Sequence, residues 1–495
     1  MAVVWIGWDT VCYQNMVKTS TDVILVGHCV RTNASYDDNR DGTNLVKLTG
    51  IMNQLPNIVV ITCHDLGRHM HCYGVPTVHT PNLDGLAAAG VRFGNSFCVA
   101  PQCSPSRAAL FTGRYPHSNG MMGLAHGAFA WDLHADERHL AGFLAEAGWH
   151  TVLLAHQHET RRPRAMGYDQ VIDIDKVRPC TATAQRAVAW LDTQRATTTP
   201  FFLQMGFFEP HRPFEVFDTP PDGSLGLTIP PYLVDEPSAR EEFAGYQGAI
   251  RKLDEAIGQF LAALDQKGLA DDTLVLFTSD HGIPFPRAKC SLYDPGLEVP
   301  LVLRWPRGPW RSGTTLDPLV PNVDVLPTLL DLAGIEVPAN VQGQSFAPLL
   351  LGESYEARDA IYGQMTYHDY CDPRRCIRTS THKLIVNFTN ARFFMDPSQM
   401  WRPKTTTVDP ANPAAAYHET VELYDLASDP LETKNLARST AHLDVCHRLL
   451  TSLHQWMRQT SDPLLDGIPS APIFHRAASA LSSGRVPDDP DPSHD

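Results

Sequence analysis

Residues 98–123 read CVAPQCSPSRAALFTGRYPHSNGMMG, and inside them stands Cys103-Ser104-Pro105-Ser106-Arg107. Pro105 suits the first turn of a helix, where a missing N–H costs nothing. Ala108, Ala109, Leu110 and Phe111 propagate that helix, and Gly113 ends it. Cys103 is therefore predicted at a helix N-terminus, whose partial positive charge favours an anion. Arg107 follows one turn later on the same face. A nucleophile beside a guanidinium at a helix start suits a tetrahedral oxyanion substrate.

Composition limits the rest. With 495 residues, 43% apolar and 19% charged, the chain reads as a globular protein of two packed units. A net charge of −15 argues against a nucleic-acid or anionic-membrane partner, and neither is expected. An anionic substrate must then be captured by local positive charge. No run approaches the roughly 18 apolar residues of a membrane helix. Eleven cysteines without paired spacing suggest a reducing compartment. Residues 1–51 lack a basic region followed by an apolar core, so a cytoplasmic location is expected. They are read as an N-terminal extension, either a mis-called start or a real arm, with one short strand at 23–27.

Several apolar runs end in chemically useful residues. Asn57–Cys63 (NIVVITC) reads as a buried parallel strand followed by His64-Asp65-Leu66-Gly67. The carboxyl end of such a strand is where open α/β sheets place ligands. Thr151–Ala155 is the next strand, with His156 and His158 at its end. Two histidines at i and i+2 point to the same side, which also permits a metal site. The catalytic reading is preferred, because no third ligand stands nearby in sequence. Phe201–Phe207 leads to Glu209-Pro210-His211-Arg212, and Leu274–Thr278 to Ser279-Asp280-His281-Gly282. Leu301–Leu303 continues the sheet. Phe243, Tyr246, Ile250, Leu253, Ile257, Phe260 and Leu264 mark a long amphipathic helix packed on it. Helices are also expected at Leu83–Ala89, with Asn82 as N-cap, at Asp136–Ala147 and at Asp324–Leu332. After about residue 355, strands are expected at Ala360–Tyr362, Lys383–Phe388 and Val421–Tyr424, and a helix at Asp444–Met457. Residues 466–495, rich in Pro, Asp, Ser and Ala, read as a disordered tail.

C-x-P-S-R with the following A-x-L-x-T-G-R resembles the signature of the type I sulfatases, members of the alkaline-phosphatase-like superfamily. The resemblance covers roughly residues 52–465, with its motifs in family order. NGMMGL near 119–124 and Pro-His-Arg at 210–212 resemble the heparan N-sulfatase branch. The resemblance implies an α/β fold: a large alkaline-phosphatase-like domain with a mixed central sheet flanked by helices (52–350), plus a smaller α+β C-terminal domain (355–465).

It also implies the site. Cys103 is oxidised to Cα-formylglycine by a formylglycine-generating enzyme. Asp65, Asp280, His281 and position 103 hold a divalent metal, calcium in the family. His64 stands where the family has a second Asp, and both ligation and mere proximity remain open. A set richer in nitrogen shifts preference toward a transition metal. His158 matches a histidine acting on the formylglycine hydroxyl, and His156 replaces a sulfate-contacting lysine. His211 matches a histidine near the leaving group, Lys289 a sulfate-binding lysine, and Arg107 shares the charge. Arg212 is a candidate for a substrate carboxylate or sulfate. The implied activity is hydrolysis of a sulfate ester or sulfamate on a small anionic substrate, a sugar by the closest details. A phosphomonoester, phosphodiester or phosphonate hydrolase, and a catalytically silent binding protein, are the alternatives.

Overall fold

The computed structural model describes residues 55–172, 177–194, 198–391 and 417–486, with three strands nearer the N-terminus. Residues 1–54 and 55–495 are separate units. In the first, β1 (Val3–Gly7), β2 (Thr10–Lys18) and β3 (Val23–Arg31) form an antiparallel meander. The expected strand at 23–27 is thus longer, and two more precede it. The runs VVWIG and TVCYQNMVK carry the β-branched and aromatic residues that favour extended backbone. Residues 32–54, over which the expected extension ends, lie outside the described residues.

The larger unit is built on an eight-stranded mixed sheet. Its strands are β4 (Asn57–Cys63), β5 (Val91–Phe93), β7 (His150–Ala155), β8 (Gln170–Ile172), β9 (Phe201–Gly206), β10 (Thr273–Ser279), β11 (Leu301–Arg304) and β12 (Thr314–Leu316). A short strand β6 (Ser96–Phe97) pairs in parallel with β13 (Val320–Pro321) beside it. The order across the large sheet is β12-β5-β11-β10-β4-β9-β7-β8. Strands β10, β4, β9, β7 and β8 run parallel, and β11 runs against β10 and β5. Strands β9 and β10 are buried from end to end and β4 from Ile58 onward, so they show no alternation, as the continuous NIVVITC run led one to expect.

Helices α1 (Pro81–Ala88), α2 (Cys103–Thr112), α3 (Leu140–Glu146), α4 (Cys180–Gln194), α5 (Pro237–Gln266) and α6 (Val325–Leu332) surround the sheet. The α5 stripe from Phe243 to Leu264 is fully buried with Val59, Ile61, Leu203 and Met205. Each such side chain contributes about 1.5–3 kcal/mol of gross burial energy.

Two helix starts differ from expectation. Asn82 does not cap α1. The carboxylate of Asp254 on α5 accepts from the backbone N–H groups of Asn82 (3.1 Å) and Leu83 (2.8 Å), and a charge satisfies those donors better than an amide. Helix α3 begins at Leu140 and not Asp136, because the His139 ring caps it through the N–H of Ala141.

A second sheet follows, an antiparallel meander of β14 (Ala360–Tyr367), β15 (Cys371–Thr379), β16 (His382–Asn387) and β17 (Val421–Asp425). Strand β15 was not expected: its CDPRRCIRT is dense in charge. Its arginines are nonetheless buried, with Arg375 paired to Asp462 and Arg378 to Asp294. Helix α7 (Leu443–Gln459) covers the sheet through Leu449, Leu453 and Trp456. The stretch expected as a disordered tail contains helix α8 (Pro472–Ser483), opened by Pro472 and closed by Gly484 at φ 66°. Arg476 ties it to the carbonyl of Ala128, and Tyr367 donates to the carbonyl of Pro469. Residues 487–495 lie outside the described residues.

Candidate active site

The parallel strands β4, β7, β9 and β10 end on one edge of the sheet. That edge carries His64 and Asp65, His156 and His158, His211, and Asp280 and His281 respectively. Helix α2 begins there too, with Cys103 as its first residue and Pro105 in its first turn. Gly113 ends α2 in the left-handed conformation at φ 66°. Loop geometry at the edge is constrained. Asp65 adopts φ 50°, and its backbone is clamped by the Tyr246 hydroxyl, which donates to the carbonyls of Asp65 (2.8 Å) and Leu66 (3.0 Å). A Cβ on Gly206 would meet the His156 carbonyl oxygen at 1.7 Å, so only glycine lets the histidine loop cross the end of β9.

One half of the site is ionic. Lys289 Nζ donates to both Asp65 oxygens, at 3.1 and 2.9 Å. Asp280 accepts from the Asp65 N–H at 2.9 Å and lies 3.2 Å from Arg107 Nε. His281 Nε2 sits 3.1 Å from Asp65 and 3.4 Å from Cys103 Sγ, its other nitrogen 2.9 Å from the Gly282 carbonyl. Burial alone would raise both carboxyl pKa values. The Lys289 ammonium outweighs it at Asp65, and the neighbouring His281 and His64 rings with the Arg107 guanidinium outweigh it at Asp280, so both stay ionised well below the usual range. The Lys289 ammonium is held above its usual value by Asp65. Burial pushes the Cys103 thiol up to about 12, so the unmodified side chain is a neutral thiol and a weak nucleophile.

The other half is a cluster of imidazoles. His64 Nε2 is 2.6 Å from His156 Nε2, and His64 Nδ1 is 2.8 Å from Asp280. His158 Nε2 is 2.5 Å from Nδ1 of His126, on the loop after α2. Burial lowers His64 to about 4 and drives His156 and His158 well below their ordinary value. All three are neutral at pH 7. His211 joins the halves: its Nε2 lies 3.3 Å from Lys289 Nζ and 3.8 Å from Asp65, while Nδ1 contacts the Arg212 carbonyl at 2.5 Å. Burial and the Lys289 charge hold it near 3.

Cys103, Asp65, His64, Asp280, His281, Lys289, His211, His156 and His158 are therefore brought together. Arg107 and Arg212 have other work. The Arg107 guanidinium is fully buried beneath the pocket, donating to Thr62 Oγ1 (2.9 Å) and the Cys63 carbonyl (3.0 Å) as well as facing Asp280. It fixes the end of β4 and orients Asp280. Arg212 was expected at the substrate. It is instead sandwiched by Phe214 and Phe285 and donates to the Pro284 carbonyl (2.9 Å) and Glu242 (2.7 Å). The backbone turn that aims His211 inward aims its neighbour into the core.

Sequence reasoning passed over four supporting residues. His126 touches His158, and the Phe208 ring packs against His64, His156 and His211. Glu159 accepts from the His158 N–H at 2.9 Å and from Gln204. His368, on the β14–β15 hairpin, lies near enough for the charges of Lys289 and His281 to lower it further. None follows a motif; only the buried glutamate next to His158 offered a local signal.

The donor set suits a divalent cation. One ligand atom each from Asp65, Cys103, Asp280 and His281 lies within 4.8 Å of the others. With Lys289 and Arg107 already balancing the two carboxylates, a bound dication leaves the pocket net positive, as an oxyanion requires.

Residues 56–335 match the family model described as Sulfatase, and residues 285–402 that described as N-sulphoglucosamine sulphohydrolase, C-terminal. Human N-sulphoglucosamine sulphohydrolase is 29% identical over 474 residues, covering 85% of this chain and 93% of its own. An ulvan-active sulfatase of Formosa agariphila is 28% identical, covering 87% and 86%. Among solved structures, a protein in complex with its substrate D-glucosamine-2-N,6-O-disulfate aligns with a TM-score of 0.66 at 20% identity, over 83% of this chain and 99% of its own. A phosphonate monoester hydrolase of Silicibacter pomeroyi shares the fold, with a TM-score of 0.63 at 20% identity over 82% and 96%.

Proposed function

The chain belongs to the sulfatase family, and on that premise we propose that it hydrolyses a sulfate ester or sulfamate carried by a sugar, with Cys103 converted to Cα-formylglycine and calcium as the cation. The observation that carries this reading is the convergence of Asp65, Asp280, His281 and Lys289 on Cys103 from strand ends far apart in sequence. The sugar and the sulfamate are supported by the human relative's name and its coverage of nearly the whole chain.

The cation, held by Asp65, Asp280, His281 and position 103, would supply charge neutralisation at sulfate oxygens. The converted residue would supply a geminal pair of hydroxyls in place of a thiol. Lys289, fixed by Asp65, offers its remaining protons to the anion. His211 is the acid: an incoming anion offsets the Lys289 charge that helps hold the ring deprotonated, and so raises its proton affinity beside the leaving atom. His158 is neutral and accepts the hydroxyl proton that accompanies loss of sulfate.

Three measurements test this. The tryptic peptide containing residue 103 is expected to carry the mass change of thiol replaced by aldehyde. Turnover of N-sulfated glucosamine is expected to exceed that of an aryl phosphate. Turnover confined to phosphate or phosphonate esters would replace the reading with a phosphoryl-transfer one. Cys103→Ala is expected to fold normally and to lose more than about 10⁴-fold in turnover; retained activity would refute it.

A further inference from the structure

Position 64 and positions 156 and 158 are separated by about ninety residues, yet their rings meet in one cluster, His64 buried and the other two half-buried. One ring nitrogen each from His64, His156 and His158 lies within 4.8 Å of the others. From this geometry we infer a second cation site, His64–His156–His158, suited to a borderline transition-metal ion such as Zn²⁺ and distinct from the carboxylate site next to it.

Three features support it. First, the ligand type is right: imidazole nitrogen suits zinc, copper and nickel, whereas calcium takes oxygen. Second, a carboxylate stands behind one ring: Asp280 lies 2.8 Å from His64 Nδ1, while Nε2 faces His156 at 2.6 Å. A carboxylate behind a ligating histidine is the arrangement that raises ligand basicity in metal sites. Third, the spacing is close to what an ion needs. Two nitrogens on one tetrahedral Zn²⁺ stand about 3.4 Å apart at bond lengths of about 2.05 Å. His64 Nε2 and His156 Nε2 are 2.6 Å apart, so the rings need only separate by less than about 1 Å. On His158, Nδ1 is buried with no hydrogen-bond partner among the described residues, while Nε2 faces His126 at 2.5 Å. Three protein ligands leave a tetrahedral ion one position for water or a substrate oxygen.

Asp65, Cys103, Asp280 and His281 group without any of these three rings, while His64 also groups with Asp65, Cys103 and His211, so His64 is the ring that borders both sites. Binding does not depend on conversion of Cys103. A ligated His158 gives up the lone pair that would accept a proton, so loading is expected to slow turnover; that consequence alone rests on the sulfatase reading.

The test uses the full-length protein, stripped with chelator and re-equilibrated with Zn²⁺ in a large excess of Ca²⁺. The expected result is one retained Zn²⁺ per chain by elemental analysis, lost in His156→Lys while Ca²⁺ binding persists. Should that variant misfold, anomalous diffraction at the zinc edge from unaltered protein decides. A peak among His64, His156 and His158 supports the site. No retained zinc, zinc retained equally by the variant, or a peak only between Asp65 and Asp280 overturns it.

Discussion

The two halves of the site share one sheet edge, the carboxylate set buried and His156 and His158 half-buried beside it, and solve the cost of burying polar groups in opposite ways. Asp65, Asp280, Lys289 and Arg107 remain charged, because each carboxylate has a cation at hydrogen-bond distance. His64, His156 and His158 stay neutral, because a ring without a strong anionic partner loses its proton before it accepts desolvation. His64 lies on the border, with Asp280 on one nitrogen and His156 on the other. The comparison teaches that an imidazole at position 64 is compatible with the carboxylate set beside it. It marks the boundary between a hard, charged pocket and a soft, neutral one.

Asp280→Asn should break the comparison hardest. It removes the counter-charge of Arg107 and the carboxylate 2.8 Å from His64 Nδ1 at once. Stability is expected to fall by about 3–5 kcal/mol in denaturant titration, with turnover lost. Acid should separate the halves next. His64, at about 4, and the buried His139 that caps α3, at about 3, are both depressed from 6.5. Below pH 6.5 the unfolded chain takes up protons that these rings refuse, so stability falls as pH drops toward 4. The ionic half responds only below the ordinary carboxyl range, because Asp65 and Asp280 are depressed. Each ring is expected to cost about 2 kcal/mol at pH 5, read as a falling melting temperature. Arg212→Ala is expected to cost about 2 kcal/mol through Glu242 and the lost aromatic stacking, with KM unchanged. A raised KM at unaltered stability would return that arginine to the substrate. The smallest effect is expected from Ala155→Gly. Ala155 enters the histidine loop at φ 62°, where glycine is unstrained, so stability should rise by no more than about 1 kcal/mol.

Much of this was legible in the chain. Continuous β-branched runs such as Asn57–Cys63 announce buried parallel strands, because both faces of such a strand are covered. The α5 stripe announces a helix on that sheet, and Cys103 with Pro105 a helix start. Charge hid strand β15: its arginines are buried against Asp462 and Asp294, partners that periodicity cannot see. The same blindness misplaced Arg212, since local sequence does not say which way a side chain leaves a loop. It also left the His156–His158 pair without a third member.

What sequence by itself determined, then, is the identity of the reacting groups and the strand ends they sit on, because hydrophobic periodicity and helix-start chemistry are local. What only tertiary structure decided is the partnership among them. Arg107 goes beneath Asp280, Arg212 into an aromatic sandwich, and His64 between a carboxylate and two imidazoles. Those outcomes depend on the order of strands in the sheet, where β4 and β7, with only β9 between them, are brought close by packing across a long stretch of chain.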